Sequence, residues 1–205
     1  MVFVNNKVFA KVWKTDVKEK YTDVEISISK KGGFIVEMIR NRDVKEHKLS
    51  DEDAVKKGSE FLDKQGFVNM IQTYYLIQDN VITINYAYEE NGIVMYPDLI
   101  KVKVALDNGE ILGVETKGYL NSHTNRNLPK EVITIEEART SLNPNLEIIS
   151  ERKAVIPKDD KSEKYCYEFI GRVEEREFLV YINVENSREE EILIILETEG
   201  GTLTI

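Results

Sequence analysis

Over residues 100–106, Ile100, Val102, Val104 and Leu106 fall on one side of an extended chain. Lys101, Lys103 and Ala105 fall on the other. Period-two alternation of this kind predicts a half-buried β-strand. Asp107-Asn108-Gly109 is a turn, and EILGVETK is the returning strand. The same pattern recurs along the chain. VFVNNKVFAKVWK (2–14) reads as a hairpin around Asn5-Asn6. VEISISKKGGFIVEMI (24–39) reads as a hairpin turning at Lys30-Lys31-Gly32-Gly33. Residues 71–78 and 81–90 are predicted strands, and Asn91-Gly92 is a tight-turn signal before a return strand over 93–96. Further strands are expected at 146–157, 164–173, 177–184 and 191–198.

Two segments switch to helical spacing. In LSDEDAVKKGSEFLDKQGF (49–67), Ala54, Val55, Gly58, Phe61 and Leu62 share one helical face. Ser50 with Asp53 three positions on is an N-terminal capping pattern, and Gly66 is a stop. In ITIEEARTSL (133–142), Thr134 and Glu137 repeat the cap, with Ile135, Ala138 and Leu142 on one face and Asn143-Pro144 ending the helix. Residues 121–133 lack periodicity and read as a linker.

Helix followed by about four strands thus occurs twice, with a helix-less set of strands at the N-terminus. A short helix buries its apolar face only against a sheet. The fold class expected is therefore α+β, built from tandem units in which one helix packs on an antiparallel sheet.

Composition narrows the chemistry. The net charge is −9, which disfavours nucleic acid and anionic lipid as partners. Cys166 is the single cysteine, so no internal disulfide is possible, and its place in KYCYEF points to a core thiol. No apolar run is long enough to span a membrane. Met1-Val2-Phe3 opens straight into strand-like sequence, as expected for a piece of a longer protein. His47 and His123 are the two histidines, and neither has metal-ligand spacing to a Cys or carboxylate. Both read as solvated loop residues. The Glu89-Glu90, Glu136-Glu137, Glu174-Glu175 and 189–191 clusters fall in turns or a helix first turn, where acidic residues favour solubility and the helix dipole. No metal, cofactor or catalytic residue is expected. Tyr74, Tyr75, Tyr86, Tyr88, Tyr96 and Tyr119 crowd one region, which suits either strand packing or an interface.

The stretch TYYLIQDNVITINYAYEENGIVMYPDLIKVKVALDNGEILGVETKGYLNSH (73–123) resembles the C-terminal region of the YpeB family of spore-germination proteins. YPDLIKVKVALDNGEILG and GYLNSH are its most specific parts. GGFIVEMIRNRDV (32–44) and CYEFIGR, FLVYIN and TEGGTLTI downstream also fit. The resemblance implies that the repeats are PepSY domains. Residues 1–47 would be the last strands of a truncated first unit, 48–123 a second and 124–205 a third. It also implies a non-enzymatic protein of the spore, outside the inner membrane, whose parent carries an N-terminal membrane anchor. Its implied partner is a SleB-like cortex-lytic peptidoglycan hydrolase, which it would bind and stabilise, retain or inhibit. Direct peptidoglycan binding and self-association are the alternatives. Tyr96, Asp98 and Tyr119, where strands leave the sheet, are the expected partner-contact residues.

Overall fold

The computed structural model describes residues 24–198 and 201–204. The hairpin expected over 2–14 lies outside them. The fold is mixed α+β and divides into two compact units. The first holds the described chain up to Ala87 together with Asp98–His123, and the second holds Tyr88–Pro97 and the chain from Thr124 onward.

In the first unit, β1 (Val24–Ile28) and β2 (Ile35–Arg40) form the expected hairpin. α1 (Asp51–Lys64) follows, then β3 (Met70–Gln78), β4 (Val81–Glu90), β5 (Ile93–Ala105), β6 (Ile111–Glu115) and a short α2 (Lys117–Ser122). The strand order is β1-β2-β6-β5-β4-β3. Ser50 caps α1 by accepting a hydrogen bond from the Asp53 amide. Ala54, Gly58 and Leu62 are its buried residues. They meet Ile82, Ile84 and Tyr86 of β4, Ile100, Val102 and Val104 of β5, and Val114 of β6. This is the face that the alternation singled out. Gly58 is required by a close approach: a Cβ there would lie 2.3 Å from the Tyr86 hydroxyl. That hydroxyl donates to the Val55 carbonyl at 2.6 Å.

Three expectations are corrected here. The return strand over 93–96 and the alternating strand begun at 100 are one strand, β5 (Ile93–Ala105), which runs through Pro97. Residues 121 and 122 belong to α2 rather than to a linker. Thr116 ends β6 by turning inward, its hydroxyl donating to the Ile35 carbonyl at 2.6 Å. The next turn of chain then coils and buries Leu120. Finally, Ala105, expected on the solvent side, is buried with Val44 and Leu112.

The second unit contains α3 (Ile135–Arg139), β7 (Glu147–Pro157), β8 (Glu163–Val173), β9 (Arg176–Asn183), β10 (Glu189–Thr198) and β11 (Gly201–Thr204). Strands β7 to β11 pair antiparallel in sequence order. The start of β5 adds to β7, Ile93–Met95 against Lys153–Val155. That pairing is parallel, where an all-antiparallel sheet was expected. α3 begins at Thr134 with a complete capping box. It is shorter than the predicted 133–142. After Arg139 the backbone tightens into i→i+3 bonds, with Ser141 donating to Ala138 and Leu142 to Arg139. Leu142 still reaches the core, with Ala138, Tyr165, Tyr167, Phe169, Val180 and Ile182. Tyr88, Ile93 and Met95 of the β4–β5 hairpin tip pack into this core. Asn91 and Gly92 turn the tip with φ of 53° and 75°, as the primed hairpin turn requires.

Candidate functional site

The three contact residues picked from the sequence fall into two groups. Asp98 and Tyr119 come together in the first unit, and Tyr96 lies in the second.

Asp98 follows Pro97 on β5 and has 0% exposure. A carboxylate taken out of water needs hydrogen bonds and a compensating charge. His123 supplies a partner, its Nδ1 2.7 Å from Asp98 Oδ2. His123 is the C-cap of α2, and its amide donates to the Tyr119 carbonyl at 2.8 Å. The i, i+4 spacing stacks the two rings, 4.2 Å apart and 12° from parallel. Tyr119 in turn meets Phe67 edge-on at 5.1 Å. Asp98, His123, Tyr119 and Phe67 thus form one column. It runs from a buried carboxylate through a partly exposed imidazole, 34% of whose side-chain surface is accessible, into the aromatic edge of the core.

His123 is the site residue that the sequence reading missed, since it read as a solvated loop residue. The signal was the Tyr-x-x-x-His spacing in GYLNSH, which is an aromatic pair once the segment is helical. The arrangement fixes the imidazole in two ways, through Nδ1 on the carboxylate and through its ring face on the phenol.

In the second unit, Arg152 organises a different cluster. Its Nε donates to Glu168 Oε1 at 2.5 Å and its Nη2 donates to the Tyr96 hydroxyl at 2.7 Å. The Tyr96 ring meets Tyr181 edge-on at 6.2 Å. The strand registers place Arg152, Glu168 and Tyr181 opposite one another on β7, β8 and β9. Glu168 is buried, and its Oε2 has no partner at hydrogen-bonding geometry among the described residues. Burial raises the Tyr96 and Tyr181 phenols, and the Glu168 carboxylate raises them further. Both therefore remain neutral at physiological pH.

The segment 124–134, beyond α2, is strapped to the second unit. Arg126 makes a two-pronged ion pair with Glu163, 2.7 and 2.8 Å. Glu131 accepts from Lys153 Nζ at 2.6 Å and from the hydroxyls of Tyr165 at 2.6 Å and Tyr167 at 3.1 Å. These bonds, led by the Lys153 one, hold the Glu131 carboxyl below its ordinary value. Leu128 and Ile133 pack on the core.

Among the described residues, no group of three or more His, Cys, Asp or Glu side chains is arranged to hold a metal ion. His47 lies 3.8 Å from Asp51 beside α1. Cys166 is buried, and burial pushes its thiol up to about 12, so it is not a thiolate at neutral pH. Among the described residues, no helix is long and apolar enough to cross a membrane.

The outer face of the first unit's sheet forms an open trough of about 1040 Å³. Lys101, Lys103, Ile39 and Gly113 are among its lining residues. At its rim Arg42 binds Asp107 through two nitrogens, 2.8 and 2.7 Å, and Glu110 through Nε at 2.7 Å.

Comparison with known proteins adds the family. The family described as YpeB sporulation, PepSY1 and PepSY2 domains matches residues 5–129. Sporulation protein YpeB of Bacillus subtilis strain 168 is 37% identical over 171 residues, covering 82% of this chain and 38% of its own length. Sporulation protein YpeB of Halalkalibacterium halodurans is 34% identical over 184 residues, covering 90% of this chain and 41% of its own. The chain therefore spans about two fifths of these relatives. The solved Bacillus megaterium YpeB C-terminal domain superposes with a TM-score of 0.81 at 28% identity, covering 92% of this chain and 88% of that one. With its strand-rich α+β fold, its YPDLIKVKVALDNGEILG strand pair and this match over most of its length, the chain belongs to the YpeB family of sporulation proteins.

Proposed function

We propose that this chain is a non-enzymatic binding module of the bacterial spore that holds a SleB-like cortex-lytic peptidoglycan hydrolase and stabilises, retains or restrains it. The observation that carries this reading is how the reactive side chains are used. Asp98 is fully buried on His123, Cys166 is a buried neutral thiol, and Arg152 and Glu168 neutralise each other. These groups set shape rather than attack a substrate. Tyr96, Tyr119 and His123 keep partly exposed surfaces beside them, which suits aromatic contact residues. Asp98 acts beneath them by orienting His123.

The tandem PepSY reading, with units 1–47, 48–123 and 124–205, belongs to the same proposal. It is supported by the order α1-β3-β4-β5-β6 followed by α3-β7-β8-β9-β10, each helix contributing to the core of its own sheet. Location outside the spore's inner membrane follows from the same family reading.

Calorimetric titration of the chain with the catalytic domain of the matching hydrolase tests it, with lysis of purified cortex assayed in the same mixtures. Binding with slowed lysis indicates restraint, and binding with unchanged lysis indicates retention or stabilisation. Absence of binding, or release of soluble cortex fragments by the chain alone, sinks the proposal.

A further inference from the structure

The face of the second unit's sheet that carries α3 is only partly covered. α3 has five residues, about 7.5 Å of helix axis, whereas the 14 residues of α1 span about 21 Å. Directly paired residues of an antiparallel sheet share a face. Ile192 pairs with Val180 and Ile194 with Phe178, so all four lie on the α3 side with Ala138 and Leu142. Val180 is buried, but Ile192 is 49% exposed and Leu196, two positions further along the same face, is 39% exposed. Ile194 and Phe178 are half-buried. Where β5 turns side chains to solvent, the chain uses Lys101 and Lys103 instead. An uncovered aliphatic row on a chain with 32% charged residues is out of place as plain surface.

Its surroundings are acidic. Tyr88–Pro97 with 124–198 holds 11 Lys and Arg against 19 Asp and Glu, a net charge of −8. Residues 24–87 with Asp98–His123 hold 12 against 14, a net of −2. A hollow of about 620 Å³ beside the row is lined by Ile194, Ile195 and Leu196 with Glu174, Glu175 and Arg176, and by Arg172 and Glu177, which pair with each other. Both edges of β10 are taken, by β9 and β11, so an added strand has nothing to pair with there. A helix laid across the face needs no strand edge and is one of the standard covers of an apolar sheet face.

We propose that the Ile192–Ile194–Leu196 row, with its acidic rim, docks a basic amphipathic helix of a partner protein. The inference rests on the binding reading above and gives that reading a surface. The occupant completes the cover that α3 leaves unfinished, with its apolar stripe on the row and its Lys and Arg over Glu174 and Glu175. An anionic membrane is disfavoured by the −8 charge.

The test uses the whole chain and a fluorescent Leu/Lys amphipathic peptide of about 18 residues, five helical turns. Its Leu/Glu counterpart is the control. Binding of the Leu/Lys peptide is expected, weakening as salt is raised, with none of the Leu/Glu peptide. The Ile192→Ser/Leu196→Ser variant changes only exposed side chains and is expected to keep its melting temperature while binding about tenfold or more weakly. Glu174→Lys/Glu175→Lys is expected to weaken binding several-fold and flatten its salt dependence. Equal binding by the serine variant would mean general attraction to an acidic chain and overturns the proposal, as does no binding. A dimer in light scattering that the serine variant abolishes would make a second copy the occupant and also overturns it. Titrating the serine variant with the hydrolase domain separates the two proposals. Unchanged hydrolase binding removes this surface and leaves the function standing. Peptide binding at the row without hydrolase binding to the wild type does the reverse.

Discussion

The two units solve the same problem with different materials. Each has a capped helix and an antiparallel meander, but the first sets a long helix on an apolar sheet face beside the buried Asp98–His123 pair, and the second adds two side-chain polar clusters to a short helix. Under α1 the sheet presents Ile82, Ile84, Ile100, Val102 and Val104, and the Tyr86 hydroxyl reaches the Val55 carbonyl from the same face. The second unit has a five-residue helix and cannot bury as much. It adds the Arg152–Glu168–Tyr96 cluster on one sheet face and the Glu131 strap to Tyr165, Tyr167 and Lys153 on the other. Apolar packing tolerates changes of pH and salt, whereas a polar network responds to both. The two polar clusters of the second unit should therefore respond to solution conditions.

The largest effect is expected where a buried charge loses its partner. Arg152→Met leaves Glu168 buried and uncompensated, and is expected to destabilise the second unit by about 3–5 kcal/mol. Glu168→Gln in the Arg152→Met background should recover part of that loss. Urea unfolding of the single and double variants measures both. Equal stability of Arg152→Met and wild type would mean that water already reaches Glu168 and that the contrast between the units is wrong.

In the first unit the matching probe is steric. Glycine in a helix interior costs about 1 kcal/mol relative to alanine, so Gly58→Ala would stabilise an isolated helix. Here the new methyl would meet the Tyr86 hydroxyl, and a net loss of about 1–3 kcal/mol is expected. Tyr86→Phe alone should cost about 1 kcal/mol by removing the bond to Val55. Combined with Gly58→Ala it should cost less than the sum, because the clashing atom is gone. Strict additivity in thermal melts would show that the close approach does not set the residue at position 58.

The strap gives the pH test. The Glu131 carboxyl is held below its ordinary value in the fold, so its contribution is present above the unfolded value. It is lost as pH falls through the folded one. Stability should therefore decline on acidification below about pH 4.5, and less steeply in Glu131→Gln. That variant should lose about 1 kcal/mol at pH 7, a small figure because the carboxylate is partly in water. Parallel acid titrations of the two proteins, followed by tyrosine fluorescence, decide it. Identical profiles would remove Glu131 as an acid-sensitive tie.

Most of this contrast was legible at the level of elements and hidden at the level of pairs. Strand patterning marks β1 to β10, with β5 as two pieces and β11 not singled out, and the Ser50 and Thr134 caps are legible because capping is local chemistry. What escaped depends on distant residues. His123 looked like a loop histidine, because Asp98 lies 25 positions away in sequence. Nothing local in KYCYEF marks Glu168 as buried, whereas in the fold Arg152 and Tyr96 close over it. The α3 pattern predicted a helix to Leu142, yet no local signal showed that the chain would tighten after Arg139. The parallel pairing of Ile93–Met95 with β7 is likewise a tertiary fact, since the local pattern of IVMY fits either partner direction.

The smallest predicted effect sharpens the comparison most directly, because it applies one substitution to both helices. Ser50→Ala removes the bond from the Asp53 amide to Ser50 Oγ. Thr134→Ala removes the corresponding bond from the Glu137 amide and disturbs a reciprocal one, in which the Thr134 amide donates to the Glu137 carboxylate. Either loss is expected to cost about 1 kcal/mol. Their consequences should differ. α1 has three further turns and a broad apolar face to hold it, so its first turn can fray while Ala54 and Leu62 stay buried. α3 has little more than one turn, and its cap is a large part of what makes it a helix. Hydrogen exchange should then show Ser50→Ala loosening only the first amides of α1. Thr134→Ala should raise exchange over residues 135–142 together. A local effect confined to the cap in both variants would mean that α3 is held by Ala138 and Leu142 alone. The second unit would then rest on apolar packing as the first does.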